Sequence, residues 1–286
     1  MNVESAQRWL PRLAVANLVA NVVIVLTGGA VRLTGSGLGC PTWPRCTDES
    51  YVVHDELGLH GAIEFGNRTL TFVLTAVAIA CWVAALRSRN RPALLLSTVI
   101  ALGIPAQAVI GGITVLTDLN PWIVSLHLLV SMAIIGACVI LVDVLQGPTR
   151  PQASGASRRT AWLVLGAAWV VLYLGTVVTG SGPHSGDLES RRTGLDPQVM
   201  SHVHAAAVYA LVGLTLLLLV MALRHGDSLV AQAAAVLLFV EISQGAVGFL
   251  QYFLDLPEAL VALHMLGAAL TSAAVTMVVL RTRQHD

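Results

Sequence analysis

Lysine is absent from this chain: all sixteen basic residues are arginine, matched by sixteen acidic ones, and together they make up only 11% of 286 residues. So little charge, with 56% apolar residues and a mean hydropathy of +0.76, excludes an ordinary globular domain, in which about 25% of residues are charged. Zero net charge and the lack of a basic stripe give no sign of a nucleic-acid partner. No close third or fourth donor completes a structural zinc site. The inverted repeat and broken helices common in secondary transporters are missing too.

What is abundant is apolar sequence. A membrane span needs roughly 20 such residues, and eight candidates occur, at about 13–32, 60–86, 93–116, 121–145, 161–180, 200–223, 229–252 and 258–280. The run from Leu13 to Val31 exceeds the 7 to 15 residues of a typical signal-peptide core, so a retained first helix is expected. Arginine placement sets orientation, because positive residues stay cytoplasmic. Eleven fall on one side: Arg8, Arg12, Arg87, Arg89, Arg91, Arg150, Arg158, Arg159, Arg224, Arg281 and Arg283. The opposite loops carry Asp48, Glu49, Asp55, Glu56, Asp118, Asp187, Glu189, Asp196, Asp255 and Glu258. Both termini are therefore expected in the cytoplasm.

An internal repeat organises the chain. At an offset of 137, the segment from Gln107 matches that from Gln244 at eight of 26 positions, including Gln107/Gln244, Asp118/Asp255 and His127/His264. TGSG at Thr34 recurs at Thr179. Four spans per half leave both halves in the same orientation, so the repeat is parallel. The expected fold is an all-α membrane protein with eight transmembrane helices arranged as two parallel-repeat four-helix bundles. Residues 1–146 form the first bundle, 147–159 a cytoplasmic linker rich in Pro, Gly, Ser and Arg, and 160–286 the second bundle.

Ionisable residues within spans are costly and usually face the bundle interior. His127, His204 and His264 all lie near outer helix ends. His204 and His264 could meet across a cavity, an arrangement suited to the two axial positions of a haem iron. Subtracting 137 from 204 gives Asn67, so the first half keeps His127 but lacks the opposing imidazole. That half is expected to be the more open one, as a site for chemistry would be. His60, Glu64 and Asn67 share a helix face. Glu64 pairs with Arg68 one turn on, either as a plain ion pair or as part of a reactive site, and its repeat partner is Ser201. Cys40 and Cys46 are spaced for a disulfide in an outer, oxidising loop, as a structural staple or a redox pair. Cys81 and Cys138 lie in apolar spans as packing residues.

TGGAVRLTGSGLGCPTWPRC at Thr27 to Cys46, IEFGNR at Ile63 to Arg68, the LH pairs at Leu126 and Leu263, and TGSGPHSGD at Thr179 to Asp187 resemble haem A synthase over nearly the whole chain. The resemblance implies a multi-pass enzyme of the bacterial cell membrane that oxidises the C8 methyl of haem O to the formyl group of haem A, which serves terminal oxidases. It implies a resident haem b on His204 and His264, and haem O in the first half near His127, with Asn67, His60 and Arg68 around it. Glu64 matches the functional carboxylate and is the expected catalytic residue, positioning the reacting methyl or moving a proton, and Cys40 with Cys46 match the outer-loop pair. Many members have His where this chain has Asn67. His60 lies about 10 Å along the helix from that position, so it is placed to assist Glu64 rather than to replace the ligand. The lipid bilayer, a haem O synthase and a quinol or thiol electron donor are the expected partners, with no nucleic acid and the oligomeric state open. Two other readings share the histidines: a two-haem electron carrier that leaves haem unmodified, and a transporter.

Overall fold

The computed structural model describes residues 3–53, 58–184, 186–187 and 190–285. They form eight α-helices: α1 (Val3–Leu33), α2 (Gly58–Ser88), α3 (Arg91–Leu116), α4 (Pro121–Gln146), α5 (Gly155–Ser181), α6 (Pro197–His225), α7 (Ser228–Phe253) and α8 (Glu258–Arg281). All eight are long and apolar enough to cross a membrane, and the chain is an all-α multi-pass membrane protein. Of the acidic residues expected in the outer loops, Asp55, Glu56 and Glu189 lie outside the described residues.

Two helices begin six or more residues before their apolar runs. α1 starts at Val3 because Ala6, Leu10 and Ala14, four residues apart, form a buried face, with Leu10 and Ala14 in a cluster with Cys81, Ala84 and Leu141. α5 starts inside the expected linker because the Ser154 hydroxyl accepts the Ser157 N–H at 3.2 Å, capping the helix at Gly155.

In the first half α1 packs on α2 and α4, and α3 packs on the same two helices. In the second half α5 and α7 each pack on α6 and α8. The halves meet where α4 touches α5 and α8 and where α1 touches α8. Val25, Met132, Ile135, Leu172 and Ala269 fill that seam. Close approach matters here, since lipid is as apolar as the seam and removes much of the hydrophobic incentive to associate.

The offset of 137 recurs in the backbone. The α3–α4 turn places Asp118 and Leu119 at φ 52° and 55°, and the α7–α8 turn places Asp255 and Leu256 at 58° and 60°. In both turns the leucine N–H closes onto a carbonyl five residues back, Thr114 or Gln251, at 2.8 Å. Consecutive left-handed residues other than glycine cost roughly 1 kcal/mol each or more, so tertiary packing must hold them.

The outer loops dock on one another. Gly37 N–H donates to the Gly186 carbonyl at 2.8 Å, and the Arg32 guanidinium donates to the carbonyls of His184 and Thr179 at 2.5 and 2.9 Å. At the end carrying both termini, Arg150 and His285 exchange backbone hydrogen bonds of 2.9 and 3.0 Å. The Arg150 side chain pairs with buried Asp143 at 2.7 Å, and Arg281 reaches the same carboxylate at 3.0 Å.

Candidate functional site

The second half brings His204 on α6 and His264 on α8 together. Their ring centroids are 6.4 Å apart and the planes cross at 77°. A metal–imidazole bond is about 2 Å long, so two rings gripping one ion from opposite sides have centroids about 6 Å apart. Small helix positions admit the rings: a Cβ at Gly175 of α5 would stand 3.3 Å from His204 Cε1, and one at Gly248 of α7 3.6 Å from His264 Cε1. Nδ1 of each ring is buried without a hydrogen-bond partner among the described residues; His204 approaches the Val171 carbonyl without closing a bond of normal geometry. Buried polar atoms are nearly always paired, so an unpartnered nitrogen on each of two facing rings is an exception that calls for a reason.

The first half repeats the frame with one ring. His127 of α4 lies over Gly111 of α3, the repeat partner of Gly248, with 3.3 Å between Cε1 and a Cβ built there. Its carbonyl accepts from Gln107 Nε2 at 2.9 Å, while its Nδ1 is unpartnered. Asn67 of α2 sits against Gly28 of α1 much as His204 sits against Gly175 of α5. Its Oδ1 is a further buried orphan, as is Oε1 of Gln107. Each half thus holds unsatisfied polar atoms at matching repeat positions.

His60, Glu64 and Arg68 all bond to the first outer loop. His60 Nδ1 shares a 2.9 Å hydrogen bond with Ser36 Oγ. Glu64, 4% exposed, accepts the Cys40 N–H on Oε2 at 2.6 Å and Arg68 on Oε1 at 2.5 Å. Arg68 also donates to the carbonyls of Cys40, Thr42 and Arg45 at 2.9, 3.0 and 3.2 Å. Cys40 and Cys46 are joined by a disulfide. The clamped loop therefore has both of its cysteines buried and one of them bonded directly to Glu64. The i to i+4 ion pair read from the sequence is present, and every carbonyl that Arg68 grips belongs to the loop.

Three residues with a place in this arrangement were not singled out from the sequence. Trp43 lies on Gly112 of α3, so closely that a Cβ there would overlap the indole. Glu241 is buried in α7 with Oε1 accepting from Thr215 at 2.8 Å and Oε2 unpartnered. Asp143 anchors the opposite end of the molecule. The two acids stand inside apolar runs, LLFVEISQ and VILVDVLQ, where that position alone is a signal. Trp43 carries no such mark. Cys81 and Cys138 are free and buried, and Asn21 Nδ2 donates to Cys138 Sγ at 3.7 Å.

The chain is similar to proteins described as heme A synthase. The one from Geobacillus thermodenitrificans is 28% identical over 143 residues, covering 49% of this chain and 44% of that protein. The Lysinibacillus sphaericus protein is 31% identical over 137 residues, 47% of this chain and 44% of its own length. The Alkalihalophilus pseudofirmus protein is 26% identical over 181 residues, 59% of this chain and 60% of that one. The chain thus spans less than half the length of the first two relatives in these matches. The profile of one family, described as cytochrome oxidase assembly protein, matches residues 11–57 and 55–183. That match takes in the clamped loop, Glu64, Asn67 and His127 and extends over more than half of the sequence, and the chain belongs to the cytochrome oxidase assembly protein family.

Proposed function

We propose that this protein is a haem A synthase, converting the C8 methyl of haem O into a formyl group, with a net loss of two hydrogens and gain of one oxygen. The observation that carries this reading is the contrast between halves: a facing histidine pair in one, and in the other a single histidine with Asn67 at the opposing repeat position under a clamped loop.

His204 and His264 hold a resident haem b, supported by their 6.4 Å ring separation and orphaned nitrogens. When bound, that haem supplies reversible one-electron chemistry. His127 holds the substrate haem in the first half, where Asn67, a poor iron ligand, leaves the opposite position open. Gln107 fixes the backbone at His127 and so steadies the ring. Glu64 serves as a positioning residue. Both its oxygens are engaged, so its contribution is to keep the loop closed, exclude water and hold Arg68 in place. His60 secures the start of the same loop through Ser36. Residues 1–146 form the substrate bundle and 160–286 the resident-haem bundle, in parallel orientation, joined through 147–159. Arginine placement puts both termini in the cytoplasm of a bacterial cell and the disulfide loop outside, where the bond between Cys40 and Cys46 survives. A haem O synthase supplies the substrate, and molecular oxygen is the oxidant: two successive hydroxylations of the methyl each consume one O2, two protons and two electrons from a quinol or thiol donor and release one water, and the resulting gem-diol loses water to leave the formyl group.

Co-expression with a haem O synthase, followed by haem extraction and mass analysis, tests the activity. Appearance of the product with one more oxygen and two fewer hydrogens is expected; unchanged haem O beside well-folded protein overturns the reading in favour of an electron carrier. His204→Ala and His264→Ala are each expected to abolish the low-spin signal of the resident haem. Its persistence in both would move the haem elsewhere.

A further inference from the structure

The bonds that clamp the first outer loop converge on one side chain. Arg68 grips the carbonyls of Thr42 and Arg45, which bracket Trp43, and the Cys40–Cys46 disulfide closes the loop around it. Glu64 fixes the first cysteine through its N–H at 2.6 Å. The indole lies flat against Gly112, with ring atoms Cδ2, Cε2 and Cγ where a Cβ would stand. Gly112 follows Gly111, on which the His127 imidazole rests. Neighbouring positions on a helix point about 100° apart, so the indole and the imidazole occupy adjoining sectors of α3. Two successive glycines thus seat one ring each, and one of those rings is the histidine of the first-half site.

We propose that Trp43 is a positioning residue for the substrate, its indole forming the outer wall of the first-half site and limiting the depth and rotation of a flat macrocycle beside His127. This rests on the first half accepting a haem substrate, as proposed above. A broad, rigid aromatic face presents contact area to a porphyrin edge or plane at little cost in side-chain entropy. Rigidity matters because a wall already fixed before binding need not be ordered by the ligand, and the cost of ordering it would fall on affinity. The clamp by Glu64 and Arg68 then has a defined effect: it holds an indole still.

The test uses the full-length protein with its resident haem in detergent, titrated with iron(III) haem B as a binding probe and followed by Soret absorbance, alongside haem O turnover. Trp43→Ala is expected to raise the probe Kd and the KM for haem O about tenfold each, with kcat within about threefold of wild type. Trp43→Phe, which keeps a flat ring, is expected to recover both to within about threefold. Gly112→Ala forces the indole off α3 and is expected to reproduce the Kd shift, and the double variant Trp43→Ala with Gly112→Ala is expected to be no worse than Trp43→Ala alone. Unchanged Kd and KM in Trp43→Ala, or a fall in kcat with Kd unmoved, overturns the proposal and leaves the indole as packing for the loop. A Trp43→Phe variant as impaired as Trp43→Ala also overturns it. If Trp43→Ala loses the resident haem band and so fails to fold, Gly112→Ala and Trp43→Phe decide between the same outcomes. A wild-type protein that binds haem B in a Trp43-dependent way but never converts haem O defeats the synthase reading and leaves the Trp43 assignment standing.

Discussion

At the residue scale the main finding is the company Glu64 keeps. A buried carboxylate accepts from a guanidinium and a backbone N–H, and these partners also define the loop above it. Glu64→Gln retains an acceptor for the Cys40 N–H but gives up the charge pair with Arg68, and hydrogen bonds to charged groups contribute about 1.5–3 kcal/mol. Turnover is expected to fall at least about tenfold, with the resident haem spectrum unchanged. Arg68→Lys replaces a planar fork with a point charge that cannot span three loop carbonyls, so a loss of similar size is expected. Absorbance spectra and haem O turnover on the same preparations check both. Asn67→His should supply the imidazole that the first half lacks. A second low-spin signal, equal to the resident one by electron paramagnetic resonance, is expected, with turnover down about tenfold or more as the open position closes. Glu64 and Asn67 were legible as functional candidates from the sequence. That His60 and Arg68 serve the loop was not, because their partners, the Ser36 hydroxyl and three loop carbonyls, lie 23 to 28 residues away in the chain, and no local pattern pairs them.

At the element scale, helix ends and turns set where the site residues stand. Asp227, in the turn between α6 and α7, accepts the Ser154 hydroxyl at 2.8 Å and the Ser154 N–H at 3.2 Å, tying the start of α5 to that turn. Partial burial is the strongest single influence on its carboxyl and pushes it upward, but hydrogen bonds from Ser157 and Ser154 and the charge of His225 together outweigh it. Asp227 is therefore held below the usual carboxylate range. A depressed carboxyl stabilises the fold above its unfolded value, near 4, and this contribution is lost as pH falls through the lower folded value. The thermal midpoint in detergent is expected to fall on acidification across that window, and Asp227→Asn should flatten this part of the profile. The helix boundaries followed from apolar runs except where a local device extended them, as the Ser154 cap did for α5. The left-handed turns at Asp118 and Asp255 were not legible, because neither TDLNP nor LDLPE contains the glycine that normally signals positive φ.

At the scale of the whole molecule, the linker between the halves and the end of the last helix are joined by charge as well as by packing. Asp143 is buried and shared by Arg150 and Arg281, and Arg150 also reaches the carbonyls of Leu280 and Arg283. Removing one partner of a buried pair leaves an uncompensated charge and costs about 3–5 kcal/mol. Arg150→Ala is expected to lower stability by about that amount, measured as the loss of folded, haem-retaining protein on heating. Asp143→Ala, which strands two cations, is expected to be at least as damaging. At the other end Arg32 holds the carbonyls of Thr179 and His184, tying the outer ends of the two halves together.

The sequence by itself determined that the chain is a bundle of eight apolar helices, that residues 137 apart correspond, and that histidines gather near one end. Those properties follow from length, hydropathy and period, which depend on residue type and local spacing. Only the tertiary structure decided that Glu64 and Arg68 close a disulfide loop, that Trp43 comes to rest beside the glycine under His127, and that Asp143 binds the linker to the last helix. The loop and Trp43 contacts depend on backbone atoms and glycine surfaces, and the Asp143 contacts on arginines 7 and 138 residues away; helix packing brings them close, and such contacts carry no signature until the chain is folded.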